Sequence, residues 1–241
     1  MARRDELQAA FPSFGRDWDA AIDAGIDVSL LLENLDLSST ERLRALEGLV
    51  TEAAALRGLA VPSGLGLLAA SKALYPADSD GSFRFRALLR ALSNAKLDFV
   101  VVGGVAATLH GVAEPTRDLD VCVRLEDDTW RKVAEVIGPL HPRFALTVDK
   151  RSIEATVEAL RDFKNLSCLT DLGRLDVLGS VEPLGGFEAL LRNASIVQVE
   201  ELSLRVISRA DLITVKEFVR RPKDLEVARA LRAIADAERA R

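Results

Sequence analysis

The chain has 241 residues, nearly half of them apolar, and a net charge of −5. It is long enough to bury a sizeable core, and no apolar run approaches the ~18 residues of a membrane span. The acidic balance argues against a surface that tracks nucleic acid along its whole length, because phosphate contacts need a basic footprint.

The opening residues, Met-Ala-Arg-Arg-Asp-Glu-Leu-Gln, turn polar before a signal-peptide core can form, so a soluble cytoplasmic protein is expected. The first eighty residues read as helical. Ser38 and Glu41 have capping-box spacing, and Leu43, Leu46, Val50 and Ala53 then lay one apolar stripe along a helix reaching about Gly58. A shorter helix near Val28 to Leu35 precedes it. Pro62-Ser63-Gly64 and the stretch from Pro76 to Gly81 supply turn chemistry, which divides the chain into a helical region, 1–80, and a second unit, 81–241.

From Phe83 helices alternate with strands, which indicates a mixed α/β (α+β) sheet flanked by helices. A helix is expected over Phe85 to Ala95, a strand over Leu97 to Val102 and a short helix over Val105 to His110. Asp118 to Arg124 resumes an extended pattern. Thr129 to Ile137 reads as helix, Leu166 to Leu169 and Arg174 to Leu178 as strands, and the stretch from Pro142 to Lys164 is ambiguous. After Gly185-Gly186 come a helix, two short strands, and helices starting near Ser208 and Pro222. Cys122 and Cys168 lack a paired or histidine-rich setting and read as small core residues. Two basic groups stand out, Arg84, Arg86 and Arg90, and Arg220, Arg221 and Lys223; each is a local anion-binding candidate or simply a solvated helix face.

In a strand, alternate side chains share a face, so Asp118 and Asp120 project together while Leu119, Val121 and Val123 point to the core. Such a pair repels itself unless a cation sits between, and Mg2+ or Mn2+ suits one or two carboxylates completed by phosphate and water. An exposed strand end is the simpler reading of an Asp-x-Asp pattern alone. Gly103-Gly104, with thirteen residues between Gly104 and Asp118, adds a turn from strand to helix where backbone could approach a ligand closely. Together the two features suit nucleotidyl or phosphoryl transfer, in which positioning and charge neutralisation dominate catalysis.

Val102-Gly103-Gly104 followed by Asp118-Leu119-Asp120-Val121 resembles the signature of the polymerase-β-like nucleotidyltransferase superfamily. The text Gly-Gly-Val-Ala-Ala-Thr-Leu-His-Gly, ending in Thr116-Arg117-Asp118, looks more like the bacterial minimal nucleotidyltransferases and AbiEii-type toxins of toxin–antitoxin systems. The resemblance covers roughly residues 83 to 230. It implies a nucleoside triphosphate substrate and a divalent metal held by Asp118, Asp120 and, on a later strand, Asp176. Read without it, an aspartate between Leu175 and Val177 in an apolar strand calls for a metal or a charged partner, and a salt-bridged structural aspartate is the simpler reading. It assigns Lys216 to the triphosphate and matches Arg221-Pro222-Lys223-Asp224 to the motif that follows, with Gly103, Gly104, Thr116, Arg117 and Asp224 as nucleotide-binding positions. The acceptor it implies is an RNA such as tRNA, a protein or a small molecule, with a cognate antitoxin as a possible partner. Glu114 departs from the pattern, standing where this branch often has an arginine. Competing readings are a non-catalytic, antitoxin-like partner that keeps the fold, and a helical protein with an incidental Asp-Leu-Asp strand. Without the resemblance, Lys216 and Arg220 read as a solvated basic face.

Overall fold

A computed structural model describes residues 11–55, 84–113 and 115–241. The expected turns at Pro62-Ser63-Gly64 and Pro76 to Gly81, the boundary near residue 80 and Glu114 lie outside these residues.

Among the described residues three helices come first, α1 (Arg16–Asp23), α2 (Val28–Asp36) and α3 (Ser39–Ala55). Local chemistry starts two of them. The Asp27 carboxylate accepts from the Ser29 amide at 3.2 Å, and the Ser38 amide donates to Glu41 at 2.8 Å while the Glu41 amide returns a bond to Ser38 Oγ at 3.3 Å. This reciprocal pair is the capping box read from the sequence. Helix α1, not separately anticipated, buries Trp18, Ala21 and Ile22.

The second part builds α4 (Phe85–Asn94), β1 (Phe99–Val102), α5 (Gly103–Leu109), β2 (Asp118–Val123) and α6 (Asp127–Ile137). The ambiguous stretch contributes β3 (Arg143–Phe144) and α7 (Val157–Leu160), and β4 (Asn165–Thr170) and β5 (Gly173–Leu178) follow. A small ladder of β6 (Ser180–Val181) and β7 (Gly185–Gly186) leads to α8 (Phe187–Asn193), β8 (Ser195–Val199), β9 (Leu202–Val206), α9 (Arg209–Val219) and α10 (Pro222–Ala240). The expected strand at Leu97 starts only at Phe99, and the expected helix at Val105 starts two residues earlier, at the first glycine.

Seven strands form one sheet in the order β3-β4-β5-β2-β1-β9-β8. It is mixed: β2 runs antiparallel to β1 and parallel to β5, and β1 runs parallel to β9. Every residue of β1 is buried, as expected for a central strand covered on both faces. Cys122 and Cys168 are fully buried in β2 and β4, and burial pushes both thiols up to about 12. They are inert core residues, as read from the sequence.

One continuous apolar cluster runs from Trp18 in α1 through the sheet to Ala237 in α10. The first helices therefore pack directly on the strands and helices that follow. Arg42 of α3 shows how: its guanidinium donates to the carbonyls of Asn34 at 2.6 Å and Leu109 at 2.8 Å. A cation is thus placed at the C-terminal ends of both α2 and α5, where unsatisfied carbonyls carry partial negative charge. Of the first basic candidate, Arg84, Arg86 and Arg90, the last two are taken up in ion pairs. Arg86 pairs with Glu47 and Glu200, and Arg90 with Glu200 and Glu201, each at 2.6–2.7 Å.

Candidate functional site

The site begins with register. Parallel pairing of β2 and β5 sets Asp120 opposite Asp176 and Asp118 opposite Arg174. Because side chains two residues apart share a face, all four project on the same side of the sheet. Asp118, Asp120 and Asp176 bring carboxylate oxygens within 4.8 Å of one another. An incidental Asp-Leu-Asp strand in a helical protein is thereby set aside: the two aspartates lie inside a seven-stranded sheet and converge on a third.

The glycine pair meets this cluster through side chains of the chain itself. Gly103 begins α5 with φ +65°, and a Cβ there would lie 2.0 Å from Asp120 Oδ2. A Cβ on Gly104 would lie 2.3 Å from Thr116 Oγ1. Glycine is required at both places because a carboxylate and a hydroxyl occupy the space. Thr116, 7% exposed, donates from Oγ1 to Asp118 Oδ1 at 2.9 Å and so holds that carboxylate in place. Arg117 is partly buried just before β2.

Charge is unevenly balanced. Burial, reinforced by the negative charges of Asp118 and Asp176, holds the Asp120 carboxyl well above the usual range, while Arg174 and Lys216 act weakly in the other direction. Arg174 forks onto Asp176, with Nε 2.9 Å from Oδ1 and Nη2 2.7 Å from Oδ2, and its Nε lies 3.9 Å from Asp118 Oδ2. Ser167, opposite Asp176 on β4, donates to the same Oδ1 at 2.6 Å. Neither Arg174 nor Ser167 was anticipated, although Arg174-x-Asp176 has the same alternation that singled out Asp118-x-Asp120.

Lys216 does not lie on a solvated face. Its side chain is 15% exposed, and Nζ bonds Asp224 Oδ1 at 2.7 Å across the junction of α9 and α10. Asp224 Oδ2 is buried without a hydrogen-bond partner. Between them α9 ends on Arg220 in the left-handed conformation, and α10 begins with Pro222 in its first turn, where proline's fixed φ suits a helix start. Arg220 and Arg221 are exposed, and Lys223 donates to the Pro115 carbonyl at 2.7 Å, beside Thr116. The C-terminal helices thus reach the segment that leads into β2.

His110, at the end of α5, is partly buried and hydrogen-bonds the Ile207 carbonyl at 2.8 Å through Nε2. Burial pulls its pKa down, so the neutral imidazole with a proton on Nε2 is the form that fits. Together with Arg42 it fixes the end of α5 remote from the glycine pair.

No family model matches this chain, and no curated protein does. A solved structure from Thermotoga maritima, provisionally described as a nucleotidyltransferase, aligns with 60% of this chain and 87% of its own at 16% identity, with a TM-score of 0.39. So distant a likeness assigns no chemistry. What the geometry itself supplies is a set of hard oxygen donors, one deeply desolvated, gathered on one sheet face with a lysine nearby. Such oxygen donors could hold a hard divalent cation.

Proposed function

We propose that this chain is a metal-dependent nucleotidyltransferase whose substrate is a nucleoside triphosphate. The observation that carries the reading is the convergence of Asp118, Asp120 and Asp176 from two adjacent parallel strands, with Gly103 shaped to admit the Asp120 carboxylate. Three carboxylates so close destabilise the chain unless a cation offsets them. Asp118, Asp120 and Asp176 would hold the metal, which when bound neutralises the triphosphate and the departing pyrophosphate.

In this reading Thr116 holds Asp118 in its ligating position, and Gly103 and Gly104 let α5 start against the Asp120 carboxylate and the Thr116 hydroxyl. Lys216 keeps its bond to Asp224, which holds Nζ in place, and offers the remaining N–H donors of its ammonium to the phosphates. Arg117, beside Thr116, adds a positive charge where Glu114 supplies none. Asp176 takes the proton from the acceptor hydroxyl as that oxygen bonds to the α-phosphorus and the bond to pyrophosphate breaks. The acceptor belongs to one of three classes: an RNA end such as that of tRNA, a protein side chain, or a small molecule. A toxin-like role with a cognate antitoxin extends the same proposal, supported by the sequence text around Thr116 and Lys216. Among the described residues no helix is long and apolar enough to cross a membrane.

One observation favours a second reading, a binding protein that keeps the fold without catalysis: the Arg174 fork already occupies Asp176. The two readings separate in one experiment. The protein is incubated with each labelled nucleoside triphosphate, Mg2+ and total RNA, total protein or a small-molecule extract in turn. Transfer of label that Asp118→Asn abolishes supports the enzyme; no transfer to any acceptor supports the binding protein.

A further inference from the structure

Arg174 stands among the proposed metal ligands as a cation of the chain itself. Its backbone is paired with Asp118, its fork takes both oxygens of Asp176, and its side chain is 27% exposed. Ser167 adds a third bond to Asp176, on Oδ1, so that oxygen already accepts two donors. A carboxylate oxygen has two lone pairs, and Asp176 has little left to offer a metal while the fork is in place. The guanidinium cannot shed its proton to make room. Side chain and divalent cation, both drawn to the same carboxylates, would also repel each other at this range.

We propose that Arg174 is a resident counter-cation that withholds the aspartate cluster from a bare divalent ion and releases it when a nucleoside triphosphate offers its phosphate oxygens to the guanidinium. The inference rests on the metal–nucleotide reading above. Arginine suits the exchange, since its planar fork matches a phosphate as well as a carboxylate. The arrangement makes metal loading conditional on nucleotide. By linkage, whatever factor nucleotide adds to metal affinity, metal adds to nucleotide affinity. A residue that merely braced Asp176 would behave oppositely, because its loss would loosen a ligand and weaken the metal.

The test is calorimetric titration of Mn2+ into the full chain, alone and with a non-hydrolysable nucleoside triphosphate, for the native protein, Arg174→Gln and Arg174→Lys. Melting in EDTA verifies that each is folded. Arg174→Gln is expected to bind Mn2+ alone ~10-fold more tightly, and the factor by which nucleotide strengthens Mn2+ binding is expected to shrink correspondingly. Arg174→Lys keeps the charge but loses the fork, so it should fall between the two; should Arg174→Gln fail to fold, the lysine variant carries the test with a gain of roughly 3-fold. Unchanged or weaker Mn2+ binding in the folded variants overturns the proposal and leaves Arg174 as a brace. If no variant nor the native chain binds Mn2+, with or without nucleotide, the metal-dependent reading itself falls and takes this proposal with it.

Discussion

Gly103 and Asp120 are so placed that a side chain at position 103 would push the carboxylate at position 120 out of its present position, since a Cβ would sit 2.0 Å from Asp120 Oδ2. The glycine that looked like a cradle for a ligand is first a cradle for the proposed metal ligand. A left-handed φ of +65° adds to the constraint.

Gly103→Ala is therefore expected to cost at least ~1–2 kcal/mol in stability from backbone conformation alone, and to displace Asp120 and abolish transfer. Gly104→Ala meets the stiff Thr116 side chain, with Cβ only 2.5 Å away, and should also impair activity. Gly48→Ala is the control: it lies in α3 with nothing within 4 Å, and should leave activity unchanged while stabilising the protein by up to ~1 kcal/mol. Chemical denaturation with parallel activity assays decides; a Gly103→Ala protein as active as the native one would place the metal elsewhere.

Asp120→Asn should abolish transfer while preserving or raising the melting temperature without metal. The carboxyl's proton affinity is raised in the folded chain, so its contribution to stability is present below its ordinary value of 3.8 and is lost as pH rises through the elevated value. The variant escapes that loss. Its advantage over the native protein in EDTA should thus grow from pH 4 toward pH 8, and a melting temperature that falls instead would mark the cluster as structural.

Lys216→Ala tests whether its ammonium serves the triphosphate. Contact with phosphate predicts a loss of ~1.5–3 kcal/mol in nucleotide affinity, and Arg220→Ala, on an exposed turn, should cost less than ~1. The pairing with Asp224 adds a second effect that sequence reading did not foresee. Removing the lysine strands a buried carboxylate, so the variant should also lose roughly 3 kcal/mol of stability, and Lys216→Ala with Asp224→Asn should recover part of that loss but none of the affinity. Isothermal titration well below the melting transition keeps the two effects apart.

His110 sets a pH dependence of opposite sign to that of Asp120. Its pKa is lowered on folding, so the stability it confers is present above its ordinary value of 6.5 and is lost as pH falls through the depressed value. Native stability should decline on acidification below about pH 6.5 more steeply than that of His110→Gln, measured by urea titration at several pH values. Parallel pH profiles for the two proteins would show that the imidazole titrates normally.

Much of the site was legible because it follows from local rules. Alternation put Asp118 and Asp120 on one face, and the resemblance then supplied Asp176, Lys216 and Asp224. What could not be read was pairing at a distance. Arg174 reaches Asp176 by local alternation, but both meet Asp118 and Asp120 only through the parallel register of β2 with β5, and no residue within either strand announces that register. Helix α1 was missed for a related reason: its apolar face is matched by α10, some two hundred residues further on. The stretch from Pro142 to Lys164 hid a two-residue strand and a one-turn helix, both too short to show a period.

Asp236, 5% exposed in α10, accepts the amides of Asp17 at 2.8 Å and Trp18 at 3.0 Å, and Gly15 has no side chain because a Cβ would meet the same carboxylate at 2.6 Å. The two outer segments of the described chain are thus spliced together by one acidic side chain. Trimming α1 would remove both amide donors and leave Asp236 only its pairing with Arg239 in the last helix, whose first turn, about 18 Å away along the axis, holds Asp224 against Lys216. An N-terminally shortened protein would accordingly carry a weakened splint under α10, read as a lower melting temperature alongside any loss of activity.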